Sequence, residues 1–203
     1  MPGSQFKQAV REATGSTWEH WAAELGKTVG PLWSHEQIRN HLIDERRVSA
    51  EWAEWLATMY GQLMGRTPTG VTKDAGVQIG VRKTVAMSVA EAWQLLLSPE
   101  GLALWIGTMD SLPLQVGHSF ESKEGVSGKI TVVEPLRKLR MTWKRPEWDE
   151  PSRLQLYVLA AKSGKTTIAL HQEMLEDVYM RDIMKRFWDD VLTAIQNRKE
   201  AVR

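Results

Sequence analysis

The sequence predicts an α+β protein in which a curved antiparallel sheet wraps around one long C-terminal helix, preceded by an N-terminal all-α helical bundle. Apolar residues recur at helical spacing between Asp177 and about Ala201, and several strand-like segments with alternating apolar residues precede that helix. The first 64 residues show helical spacing throughout. A long helix with one apolar face must lie on a broad apolar surface, and a sheet provides one.

The C-terminal helix has marked ends, with Asp177 as an N-cap and basic residues near its end. Its predicted apolar face consists of Met180, Ile183, Met184, Phe187, Trp188, Val191 and Ile195. Methionine and large aromatic side chains adapt to irregular space, so the first half of this face is expected to border a cavity. The alternative is that the whole face is ordinary core.

Four amphipathic helices are predicted in residues 1–64, which we interpret as a tryptophan-rich helical domain. The first spans Ser4–Thr14, and the others begin at the capping residues Ser16, Ser34 and Ser49. The first two of these caps have a Glu or Gln three residues later, which is the pattern of a capping box.

The segment 65–76, GRTPTGVTKDAG, has no periodicity and is predicted to be a linker to a second domain at 77–203. That domain should open with a strand near Val77–Val85, followed by two helices that begin at Ser88 and Pro99. Five further strands are then predicted: Leu114–Ser122, Val126–Glu134, Leu139–Lys144, Leu154–Ala161 and Thr166–Met174.

Composition excludes several classes of function. The 26 basic and 25 acidic residues nearly cancel, and the absence of cysteine excludes disulfides, thiolate metal sites and cysteine nucleophiles. Residues 1–70 carry seven basic and eight acidic residues, so a helix-turn-helix that binds nucleic acid is disfavoured there. No secretory leader or membrane span is evident, and a cytoplasmic protein is expected.

Several motifs in the second half carry a family resemblance. They are the opening VRKTVAMSVAEAWQLLLSPEGLALWIG, the strand VGHSFES and the hairpin GKITVVEPLRKLRMTWKRPEW, in which Gly128 to Trp143 form the most specific pattern. These motifs resemble the START-like, helix-grip superfamily (SRPBCC), in the branch similar to the C-terminal domain of the Hsp90 ATPase activator. The N-terminal ATGSTWEHW and SHEQIRNHL segments resemble a small helical domain of unknown function.

This resemblance implies a fold and a cavity between the sheet and the last helix. We therefore expect a small hydrophobic or aromatic ligand to bind there. One alternative is a protein-interaction or co-chaperone-like module without a ligand, although the asparagine-rich docking segment of the true activator is absent. A third is an enzyme of cyclase or dehydratase type that uses the same cavity, but the balance favours a binding protein over an enzyme.

The expected cavity lining combines aromatic, methionine and histidine side chains: Trp105, His118, Phe120, Met141, Trp143, Met184, Phe187 and Trp188. His118 shares a strand face with Phe120, so it is expected to point inward, where it is the one candidate for acid–base chemistry.

Two further groups are expected at the surface. His171 alternates with Ile168, Leu170 and Met174, and so should face outward with Glu173. A basic run is interpreted as a solvated strand face: Arg137, Lys138, Arg140, Lys144 and Arg145. No cofactor, metal or nucleic acid is expected, whereas a protein partner or a homodimer is compatible with the sequence.

Overall fold

A computed structural model describes residues 2–68, 70–72 and 74–200, with side chains up to residue 198. Contacts divide the chain into two compact units. The first comprises the residues up to Val71 together with Glu176–Met180, and the second comprises Thr72–Leu175 and the chain from Arg181 onward. Within the described ranges, no helix has both the length and the apolar character that crossing a membrane requires.

The first unit contains the four predicted helices: α1 Ser4–Thr14, α2 Trp18–Thr28, α3 His35–Asp44 and α4 Ala50–Leu63. The capping box at Ser34 and the cap at Ser49 are confirmed. The predicted cap at Ser16 is wrong, because the Thr17 hydroxyl accepts the His20 N–H at 3.2 Å instead. Ser16 lies in the turn before the helix, where its own N–H donates to Thr14 Oγ1.

An aromatic cluster forms the centre of the first unit. The fully buried ring of Phe6 lies 5.7 Å from Trp18, 6.2 Å from Trp52 and 5.6 Å from Tyr179, measured between ring centroids. The ring of Tyr179 also contacts Trp55 edge to face at 5.2 Å. The core of this unit therefore includes a residue from the far end of the sequence.

The second unit contains two short helices, a seven-stranded sheet and most of a long helix. From β1, whose first residue belongs to the first unit, to α7, whose first three residues also do, the elements are β1 Val71–Thr72, β2 Gly76–Val85, α5 Val89–Leu97, α6 Pro99–Trp105, β3 Ser119–Glu121, β4 Ser127–Glu134, β5 Lys138–Trp143, β6 Ser152–Ala160, a 3₁₀ turn at Lys162–Gly164, β7 Thr166–Leu175 and α7 Val178–Glu200. The strand order is β1-β2-β7-β6-β5-β4-β3, and neighbours from β2 to β3 pair antiparallel. The predicted fold class is confirmed.

Helix α7 lies across the sheet along the face that the sequence predicted. Met184, Trp188 and Ile195 are fully buried. Lys83 Nζ on β2 donates to Thr193 Oγ1 at 2.6 Å, which ties the outer part of the helix to the sheet edge. The predicted N-cap is also confirmed, because the carboxylate of Asp177 accepts the Met180 N–H at 2.8 Å.

Two strand predictions differ from the structure. Of the predicted strand Leu114–Ser122, only Ser119–Glu121 forms β3, so this strand is much shorter than the sequence pattern indicates. Met174 was expected on the inner face, but it is 58% exposed and has a φ of 60°. Because β2 and β7 lose register at this point, an extra residue on β7 turns Met174 outward.

Candidate ligand-binding cleft

A cleft of about 150 Å³, partly open to solvent, lies where α6, the C-terminal end of β5 and α7 meet in the second unit. It is lined by residues 103–107, Val126, Trp143, Arg145 and Phe187. Most of these residues are apolar and three are aromatic, but Trp105 and Trp143 are only 1% and 0% exposed, so Phe187 offers the accessible ring surface. Together with one arginine, they form a small aromatic site with a single cationic group.

Helix α6 supplies the first wall. Pro99 begins the helix, and the Ser98 hydroxyl accepts the Gly101 N–H at 3.1 Å, so the start of this short helix is fixed. A side chain at Gly101 would collide with the main-chain carbonyl of Leu95, which requires glycine at this position. The indole N–H of Trp105 donates to the Leu96 carbonyl at 3.0 Å, and this bond orients its ring at the cleft.

Trp143 forms the opposite wall, at the end of β5. Its indole N–H donates to the main-chain carbonyl of Trp105 at 3.2 Å, so the two tryptophans are linked directly. Its ring contacts Trp148, Trp188 and Phe187, with centroids 5.2, 5.7 and 6.1 Å away. Such tilted and edge-on contacts are favourable aromatic geometries, and they leave the Trp143 ring little freedom.

Gly128, which begins the most specific sequence motif, permits close approach of β4 and its neighbours. A side chain there would collide with the main-chain carbonyl of Thr142 and with the Phe120 ring. Glycine is therefore required so that β4 and β5 can pair beside the cleft.

A buried chain of hydrogen bonds supports the aromatic wall from behind. The indole N–H of Trp188 donates to Gln172 Oε1 at 2.7 Å, and Gln172 Nε2 donates to Ser152 Oγ at 2.8 Å. The Ser152 hydroxyl in turn donates to the Trp143 carbonyl at 2.8 Å. The sequence analysis missed Gln172, although a glutamine at an inward position of a strand was a visible signal.

Arg145 contributes the one charged side chain of the lining, and its expected place on a solvated strand face is wrong. Its side chain is 25% exposed, and its guanidinium carbon lies 4.7 Å from the centroid of the Phe187 ring and 5.7 Å from that of Trp143. Burial lowers the pKa of this arginine, although the nearby carboxylate of Glu147 opposes the effect. Alternation carried on from Trp143 would have placed Arg145 on the inner face.

The backbone explains this orientation of Arg145. Lys144 forms two main-chain hydrogen bonds with Ser127, each 2.9 Å long, so the extended geometry continues beyond the last residue of β5. Lys144 therefore points the other way, and its Nζ donates to the Asp149 carbonyl at 3.0 Å. Arg137 remains at the surface, paired with Glu134.

His118 does not point inward as expected, because its side chain is exposed. It precedes β3 and follows Gly117, whose φ of 91° turns the chain, so the strand alternation that holds for Phe120 does not extend to it. His118 is absent from the cleft lining. The cyclase- or dehydratase-type interpretation therefore loses the residue on which it depended.

The other predicted lining residues divide into two groups. Trp105, Trp143 and Phe187 line the cleft. Four more are buried but do not line it: Phe120, Met141, Met184 and Trp188.

Away from the cleft, His171 is 37% exposed on the outer face of β7, as the strand pattern predicted. Glu173, expected at the surface beside it, is instead buried at 6% exposure because His171 and Arg153 cover it. The Nδ1 of His171 lies 3.1 Å from Glu173 Oε1, and its Nε2 lies 2.9 Å from Gln78 Oε1. Arg153 also pairs with Glu173. Across the residues that the structure describes, no three histidine or carboxylate side chains are grouped so that they could hold a metal ion.

Comparison with known proteins places this unit in a family. Residues 86–199 match the family described as "Activator of Hsp90 ATPase homolog 1-like protein". No curated protein sequence matches the chain.

Solved structures share the fold at low sequence identity. DynU16, from the dynemicin biosynthetic locus, is 19% identical with a TM-score of 0.54, over 62% of this chain and 48% of DynU16. MLL2253 from Mesorhizobium loti is 19% identical with a TM-score of 0.51, over 62% and 98% of the two chains. CalU16 from Micromonospora echinospora is 22% identical with a TM-score of 0.50, over 62% and 76%. The chain thus spans about half the length of DynU16, and these likenesses concern the fold alone.

Proposed function

The chain belongs to the family of Activator of Hsp90 ATPase homolog 1-like proteins, and from this membership and the geometry of its cleft we propose that it binds a small hydrophobic molecule with an aromatic ring. The observation that carries the proposal is the aromatic lining of the cleft: the partly exposed Phe187 and the buried Trp105 and Trp143 border about 150 Å³ of space. Large aromatic walls favour flat apolar ligands, which gain ring contacts as well as burial.

The volume of the cleft limits the size of the ligand. An apolar cavity of about 150 Å³ accommodates a molecule the size of benzene. Because the cleft is partly open, a larger molecule would place one ring between the walls and extend the remainder into solvent. A single-ring compound is therefore the appropriate probe.

Calorimetric titration with a panel of single-ring compounds, both neutral and charged, tests the proposal. Ala103 lines the cleft from an exposed position on α6, so Ala103→Phe should fill the space without disturbing the core. Ala90→Phe is the matched control, because Ala90 is also an exposed helical alanine but lies on α5, outside the cleft lining.

We expect saturable binding to the wild-type protein and to Ala90→Phe, with strongly reduced binding to Ala103→Phe. The proposal fails if no compound in the panel binds, or if Ala103→Phe binds as well as the wild-type protein.

A protein-interaction role is the second candidate, and one surface favours it. Leu114 and Val116 lie between α6 and β3 and are 38% and 64% exposed. Exposed apolar side chains are typical of contact surfaces, and the family description names the Hsp90 ATPase. If this candidate is correct, added protein should raise the ATPase rate of Hsp90, and replacing both residues with serine should abolish that effect. An unchanged ATPase rate of Hsp90 would contradict this second candidate function.

A further inference from the structure

The guanidinium of Arg145 has aromatic contacts but lacks a strong anionic partner. It lies over the face of Phe187 at 4.7 Å, and its nearest approach to a carboxylate is 4.0 Å, to Glu147 Oε1. That separation is too long for a hydrogen bond. Among the described residues, no hydrogen bond from the Arg145 guanidinium is formed. A charged group with five N–H donors therefore borders the cleft with its hydrogen-bonding capacity unused.

The position of this group is suited to a ligand. Arginine keeps its charge when it is partly buried, and its planar fork of donors matches the two oxygens of a carboxylate. Stacking on Phe187 holds the guanidinium plane in place, so a bidentate contact would lose little further side-chain entropy. The aromatic walls and the cationic group lie in one cleft and so can contact one molecule at two ends.

The two neighbouring carboxylates, Glu147 and Glu124, form no hydrogen bond with the Arg145 guanidinium and so leave it available to a ligand. Glu147 is 45% exposed, and its Oε1 lies 4.0 Å from Arg145 Nη1, at the limit of an ion pair. Glu124 lies beside Gly107 at the cleft, but Thr108 donates to both of its oxygens, from N–H and Oγ1, at 2.6 Å each. These bonds direct the Glu124 carboxylate toward Thr108, and its exposure to solvent screens its repulsion of an anion.

From this arrangement, and resting on the proposed function, we infer that the cleft selects small aromatic carboxylates: the ring enters the cleft beside Phe187, and the carboxylate pairs with Arg145. The ligand carboxylate would replace water on the guanidinium near the cleft opening, where the long contact to Glu147 offers little competition. Trp143 and Arg145 would act together because they lie on the same face of the chain, two residues apart.

The test compares benzoate with benzamide, which has nearly the same shape but no charge. Calorimetric titrations at low ionic strength are carried out on the wild-type protein and on Arg145→Gln, Arg145→Lys and Lys144→Gln. Lys144→Gln is the matched control, because it removes the same charge from the neighbouring residue, whose side chain points away to the Asp149 carbonyl.

A charge-assisted pair in a partly exposed site should make benzoate bind about tenfold more tightly than benzamide. Arg145→Gln should abolish this preference while benzamide binding remains, which also shows that the variant is folded. Arg145→Lys keeps the charge without the planar fork and should retain only part of the preference. Lys144→Gln should behave as the wild-type protein does.

The outcomes distinguish this inference from the proposed function. If benzamide binds but benzoate binds no better, or if Arg145→Gln keeps the preference, the carboxylate assignment is wrong and the aromatic cleft stands. If neither compound binds to the wild-type protein, the carboxylate inference is overturned, whereas the proposed function fails only if no other compound of the single-ring panel binds either.

Discussion

The indole N–H of Trp143 donates to the main-chain carbonyl of Trp105 at 3.2 Å, which joins the last residue of β5 to the last residue of α6. Both residues border the cleft. This one bond therefore fixes the distance between two of its walls.

Trp143→Phe should destabilise the second unit, because it removes the donor and leaves the Trp105 carbonyl without this partner. We expect the free energy of unfolding to fall by about 1–3 kcal/mol more than it does in Trp148→Phe, because an unsatisfied buried polar group costs about that much. Trp148 is the control, since its buried ring contacts Trp143 but its indole N–H donates to none of the described residues. Urea unfolding measures the difference, and equal losses for the two variants would show that the bond is unimportant.

Local signals in the sequence were sufficient for much of the fold. The capping residues Ser34, Ser88 and Asp177 were read correctly, because a hydroxyl or carboxylate before an amphipathic segment identifies the start of a helix. The apolar face of α7 also followed directly from its spacing. These features depend on residues close in sequence, which is why they could be predicted.

The site was harder to predict, because strand alternation fails wherever the backbone turns or bulges. Gly117 turns the chain before His118, and the bulge on β7 rotates Met174 outward. The prediction for Arg145 was wrong for the opposite reason. Strand alternation continues past the end of β5 and turns Arg145 inward, whereas the basic residues around it had suggested a solvated face. Which buried residues border the cleft depends on three-dimensional packing that the sequence pattern does not contain.

Gln172 should be important for stability although it lies behind the cleft. Gln172→Met keeps the volume but removes the acceptor for Trp188 and the donor to Ser152. A loss of about 1–3 kcal/mol in the free energy of unfolding is expected, because the Trp188 N–H is left buried without a partner.

The double variant Gln172→Met/Trp188→Phe tests the cause of that loss. Because the double variant also removes the unsatisfied donor, its loss in the free energy of unfolding should be smaller than the sum of the losses in the two single variants. Simple additivity would contradict a coupled hydrogen-bond chain.

Asp177 should give the protein a specific pH dependence. Burial raises the pKa of its carboxyl, although hydrogen bonds from the N–H groups of Met180, Gly3 and Tyr179 oppose this. A raised pKa in the folded state means that the contribution of Asp177 to stability is fully present below the unfolded pKa of about 3.9. It is lost as the pH rises through the folded pKa.

Asp177→Asn removes this titration, so its free energy of unfolding relative to the wild-type protein should increase as the pH rises from about 4 to 7. Urea unfolding at several pH values measures the trend. A flat difference for Asp177→Asn would show that its pKa is not raised by folding.

The division of the chain into residues 1–64 and 77–203, with a linker at 65–76, remains a prediction. Limited proteolysis should cut first within 65–76, where Gly65 and Gly70 have φ values of 85° and 82° and tight packing is sparse. A first cut inside 77–203 with the linker intact would refute the boundary.

The two fragments should remain together after that cut. Tyr179 lies in the aromatic cluster of the first unit with Phe6, and Asp177 accepts the Gly3 N–H at 2.8 Å. Co-elution in size-exclusion chromatography is therefore expected, and Tyr179→Ala should weaken it. Separation of the wild-type fragments without denaturant would contradict the role of Tyr179.

The most direct test of the aromatic cleft is to follow the indole N–H signals of the ten tryptophans by nuclear magnetic resonance. Each signal is assigned by a Trp→Phe substitution, and the tightest compound of the single-ring panel is titrated. Ring currents from a bound aromatic molecule should shift the signals of Trp105 and Trp143, whereas those of Trp18 and Trp21 in the first unit should not move. Unchanged Trp105 and Trp143 signals at saturation, or shifts confined to the first unit, would contradict the proposed cleft.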